Sequence, residues 1–184
     1  MKQFALCAAL LALLITPAGA GSGAPAQGSS AAGASSTPMT SAPMFVQMAA
    51  MSDMFEIQSS QAALKNSKDA DVQKFAQMMI NDQTKMSTEL KSLLQSANVS
   101  VQLPTSLSGE KAQILQQLSG LSGEKFDAMY WKAQVQAHQE ALQLMQTYAT
   151  GRDNPTLRQF AQKGIPAIQQ HLQMAQKMMG GGKS

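Results

Sequence analysis

Cysteine is nearly absent from this 184-residue chain: its one thiol, Cys7, lies in an apolar run at the N-terminus. A mature domain without thiols has no disulfide framework and no thiolate metal site, and it suits an oxidising compartment. Charge is sparse too, with 14% Asp, Glu, Lys and Arg and a net charge of +3. Loss of Lys2 with a leader would trim that small basic excess further. Aromatics make up 5% and do not interleave with a basic stripe, which speaks against nucleic acid as a partner. No serine sits in a nucleophile elbow. No glycine loop is built to cradle phosphate, because Gly109, Gly120 and Gly123 fall at caps and connections. Nothing in the sequence assembles a catalytic constellation, so the chain reads as no enzyme.

What is present begins with a leader. Lys2, the apolar stretch Phe4–Ile15, the breaker Pro17 and the small residues Ala18-Gly19-Ala20 form a secretory signal peptide over 1–20, cleaved after Ala20. The alternative is an uncleaved anchor, but the run falls short of the roughly 20 residues that a span needs. The expected location is the periplasm or cell envelope, with no transmembrane segment after cleavage. Apart from Gln27 and Met39, residues 21–43 are Gly, Ser, Ala, Pro and Thr, without charge. They cannot bury enough surface to offset their ordering entropy and read as a flexible tether.

Helix formers dominate from Met44. Long helices are predicted over about 44–66, 70–97, 123–150 and 155–179, with a short one over 109–119 and a frayed tail at 180–184. Ser67 or Asp69 caps the second helix. The repeated Leu-Ser-Gly-Glu-Lys at 107–111 and 121–125 offers a serine cap and a first-turn glutamate to two more. Gly151 ends one helix, and Asp153 or Asn154 caps the last, with Pro155 at its first position. Pro166 is expected to kink that helix without breaking it.

Val72, Ala76, Met79, Gln83, Met86, Leu90, Leu93 and Ala97 alternate steps of four and three, the seam of a bundle helix. Lys74-Phe75-Ala76-Gln77 returns as Gln159-Phe160-Ala161-Gln162, as a duplicated hairpin would give. Short hairpin loops and one long middle connection predict an all-α, antiparallel four-helix bundle over 44–179, with an extra short helix in that connection.

Several segments share one pattern: Phe55-Glu56-Ile57; Val72, Phe75-Ala76, Met79 and Asp82; Phe126-Asp127 and Tyr130 leading to His138; Gly151, Asp153, Leu157, Phe160-Ala161, Ile165-Pro166 and His171-Leu172. Together they resemble the secreted bacterial family called domain of unknown function 4142, over about 44–178. The resemblance implies a ferritin-like bundle and carries no activity. The family usually has Asp-His in its second helix, where this chain has Asp82-Gln83; a site built on that histidine would be altered here.

The only histidines, His138 and His171, fall on seam positions. Counting about 1.5 Å per residue back to the hairpin loops puts His138 level with Gln83, and Glu56 and His171 within about a turn. His138, His171 and Glu56 are therefore candidate ligands for zinc, iron or copper. The alternative is a structural polar network in which Gln83 serves a buried imidazole. The paired Glu-x-x-His motifs of di-iron bundles are missing. Met44, Met48 and Met51, on one flank of the first helix, could bind Cu(I) through soft thioethers or simply fill core gaps. The leading expectation is a non-enzymatic binding or scaffold module with an unidentified protein or envelope partner and no resident cofactor. The other is a metal-binding protein.

Overall fold

The structure, a computed structural model, describes residues 40–181. The expected leader, the tether up to residue 39 and the last three residues lie outside the described residues. The described residues form five helices in order: α1 (Ala42–Asn66), α2 (Ala70–Ser96), α3 (Gly109–Ser119), α4 (Gly123–Ala149) and α5 (Pro155–Met179). Among the described residues none is long and apolar enough to cross a membrane.

Local chemistry sets the boundaries. The side chain of Asp69 accepts from the amides of Asp71 and Val72, both at 2.9 Å, and Asn154 accepts from Leu157 at 3.1 Å. Each satisfies amides that a helix start leaves without partners. The α1 helix starts at Ala42, not Met44, with Pro43 in its first turn, where the missing N–H is harmless. The Ala42 amide donates to the Asp153 carboxylate. Ser108 and Ser122 hold the expected N-cap positions, but neither side chain makes a capping bond. Instead Gly109 and Gly123 open α3 and α4 with φ of +58° and +56°, a conformation glycine adopts without a Cβ penalty. The α2 helix closes in a Schellman turn: Asn98 at φ +51° donates to Gln95, and Val99 donates to Leu94. The α5 helix runs unbroken through Pro166.

Contacts at the two ends give the topology. Ser60 late in α1 bonds Tyr130 early in α4 at 2.9 Å, and Phe75 early in α2 meets Trp131 edge-on at 5.1 Å. At the other end Phe45 early in α1 stacks on Tyr148 late in α4 at 3.9 Å, and Asn154 donates to the carbonyl of Ala97. The order is up-down-down-up, with α3 carried on the one long crossover, the arrangement of ferritin-like bundles. The two hairpin loops therefore lie at opposite ends. Phe75 and Phe160, partners in the duplicated segment, are both buried but belong to different core clusters. Between these apolar clusters the bundle carries a polar belt.

Candidate functional site

The belt begins with α1, whose core-facing positions include Ser52, Asp53, Glu56, Ser59 and Ser60, all buried. Gln83 comes from α2, Gln134 and His138 from α4, and His171 from α5; each is at most 3% exposed. Buried polar groups must find partners or lose their charge, and both occur here. The Asp53 carboxyl accepts from Ser87 at 2.8 Å, yet burial, then the charge of Glu56, pushes its pKa up to about 8 against the pull of Ser87 and Lys91. Burial likewise pushes Glu56 up to about 8, opposed by Lys111 and Ser52. Burial pulls His138 down to about 4. It pulls His171 down to about 4 as well, helped by His138 and opposed by Asp82. At neutral pH the belt therefore holds two protonated acids and two uncharged imidazoles.

The histidines are held from outside. His138 Nδ1 lies 2.8 Å from the Gln134 carbonyl, which only accepts, so Nδ1 carries the proton. His171 Nε2 lies 3.2 Å from Asp82 Oδ2 and donates to that carboxylate. The opposite tautomers leave His138 Nε2 and His171 Nδ1 as bare lone pairs, both buried and without a partner among the described residues. The rings meet edge to face at 5.5 Å between centroids. Gln83 Oε1 and Gln134 Oε1 are two further buried acceptors of the belt without a partner among the described residues.

Of the expected ligands, His138 and His171 come together. Glu56 stands beside them with Oε1 3.9 Å from His138 Nδ1, the nitrogen already committed to Gln134. It shares a cavity of about 10 Å³ with Gln83, Asp53 and Ser52, the size of a single water. Among the described residues no three His, Asp or Glu side chains form a group that could hold a metal ion. Met44 and Met48 are exposed and Met51 is half-buried, so the structure does not bring this set to the histidines. It instead groups Met78, Met174 and Met178 in one groove beside Trp131.

Asp53 and Gln134 belong to the site and were not among the candidates. Asp53 could have been found by continuing the step of three and four from Ala49 through Asp53 and Glu56 to Ser60. The role of Gln134 is carried by its backbone carbonyl and has no sequence signal.

The model of the family described as Domain of unknown function (DUF4142) matches residues 25–178. No curated protein matches the sequence. Among solved structures, the chain is similar to a DUF305 fragment from Deinococcus radiodurans, with TM-score 0.65, 16% identity, and 78% of this chain and 97% of that one covered. A DUF305 protein from Streptomyces coelicolor gives 0.64 at 10% identity, covering 76% and 93%. CopM in the Cu(II)-bound form gives 0.64 at 17% identity, covering 76% and 95%. Likeness at these identities carries the fold alone.

Proposed function

The chain belongs to the family described as Domain of unknown function (DUF4142), and from that premise we propose an exported, non-enzymatic module that holds one transition-metal ion between His138 and His171. The observation that carries this reading is the pair of opposite tautomers. Metal-ligating histidines commonly donate their outer N–H to a carboxylate or backbone carbonyl, which fixes the ring and raises its basicity. Asp82 and the Gln134 carbonyl occupy those outer positions. Depressed imidazole pKa values keep both ligands deprotonated, as binding requires. Imidazole suits copper, zinc and iron. Copper is favoured because two neutral nitrogens with no third His, Asp or Glu among the described residues are too few for the four-coordinate sites zinc takes, and because the fold is shared with CopM in its Cu(II)-bound form. Both rings are at most 3% exposed, which shuts the pair off from an organic substrate in solution and supports a non-enzymatic role. Export rests on the leader over 1–20.

A second reading is a purely structural network, favoured by the small cavity and the neutral acids. Titration of the mature, tag-free protein with Cu(I), Zn(II) and Fe(II) by anaerobic calorimetry separates the two. The expected result is one copper ion per chain, abolished by His138→Gln or His171→Gln. Asp82→Ala is expected to weaken binding about 10- to 100-fold, the usual effect of losing such an outer partner. Gln83→His, which adds a third imidazole, is expected to tighten it. Absence of binding in both the wild type and Gln83→His would leave the structural network as the role of the belt.

A further inference from the structure

A groove of about 320 Å³ opens between α2 and α5 at the end of the bundle where α4 begins. Its floor is Phe75 and Trp131, 5% and 7% exposed, and its walls are the half-buried Met78, Met174 and Met178. That volume lies in the range of small-molecule sites, roughly 300–1,000 Å³, which are mostly apolar with a few polar groups at fixed points. Methionine walls adapt to the shape of what they hold. The polar groups that line it are two lysines, Lys74 and Lys177, and one carboxylate, Asp71. Asp71 sits in the first turn of α2, where the helix dipole favours its charge. The lining therefore carries an excess of positive charge over an apolar floor. We infer that this groove binds a small amphipathic anion, with its hydrocarbon or aromatic body on Trp131 and the methionines and its carboxylate at the two lysines.

Trp131 is the only tryptophan of the chain, so its fluorescence reports on this groove alone. Sodium decanoate, titrated below its micelle concentration into the full mature chain, is expected to change that emission saturably, with decylammonium binding at least tenfold more weakly. Lys74→Glu/Lys177→Glu is expected to lower decanoate affinity at least tenfold. The same charge change at two other exposed lysines, Lys65→Glu/Lys163→Glu, is expected to lower it less than twofold. Circular dichroism of each variant checks that the bundle is intact. Equal affinity for the two ions, equal losses in the two variant pairs, or no saturation would overturn the assignment. So would quenching by Ag(I), with no decanoate response, that disappears in Met174→Leu/Met178→Leu; that result would mark a soft-metal groove.

Discussion

Raising the pH from about 6.5 to 8 is expected to destabilise the metal-free protein by about 1.4 kcal/mol per pH unit for each buried acid that stays protonated. Asp53 and Glu56 titrate near 8 in the fold against ordinary values of 3.8 and 4.5. His138 and His171 titrate near 4 against 6.5. Between about 4.5 and 6.5 the native chain carries two carboxyl protons and the unfolded chain two imidazolium protons. The counts balance, and stability is flat. Above 6.5 the unfolded imidazoles lose their protons while the native acids keep theirs. The native state then binds more protons, and stability falls until the acids ionise near 8. Below about 4.5 the unfolded carboxyls gain protons, but the native imidazoles gain theirs near 4, so these four groups change stability little further toward acid. Urea unfolding at pH 5.5, 6.5, 7.5 and 8 measures this. Glu56→Gln removes one of the two protons, so it should roughly halve the alkaline slope and be more stable than wild type at pH 8. A wild-type stability that stays constant or rises from 6.5 to 8 would show that the belt is charged.

The second large effect is expected at the other end of the bundle. Phe45 is fully buried, stacks on Tyr148 at 3.9 Å and meets Phe160 edge-on at 6.4 Å. It joins the first turns of α1 to both α4 and α5. Phe45→Ala should cost about 3–5 kcal/mol, the transfer term plus the cavity it leaves. Met48→Ala, nearby on the exposed face, should stay within about 0.5 kcal/mol. Denaturant midpoints give both values. A loss below about 1 kcal/mol at Phe45 would mean that the start of α1 is not anchored by this stack.

Much of the fold was legible because its signals are local. Asp69 and Asn154 cap where their residue types suggest, and the four-three rhythm of α2 marks the face it buries. The α1 helix hid its role. Its core-facing positions include Ser52, Asp53, Glu56 and Ser59, so no apolar stripe announces the face. Those side chains are tolerated inside because neighbouring hydroxyls bond them and burial removes the charge. The site was half legible. Gln83 and His138 both lie near the middle of 27-residue helices, so a count of residues gives them about the same height whichever end the hairpin loops take. The tautomers were not legible, since they depend on the Gln134 carbonyl and on Asp82 approaching His171 across 89 residues of sequence. The methionine grouping was missed for the same reason: Met78 and Met174 meet only through the topology.

With two histidines in the chain, a long-range proton–nitrogen NMR spectrum of the mature protein contains two imidazoles and tests the paired tautomers directly. At pH 7 one ring should be protonated at Nδ1 and the other at Nε2. Adding one equivalent of Cu(I) should shift only the two bare nitrogens, His138 Nε2 and His171 Nδ1. Two rings in the same tautomer, a charged ring, or bare nitrogens that do not respond to any of Cu(I), Zn(II) or Fe(II) would contradict the account.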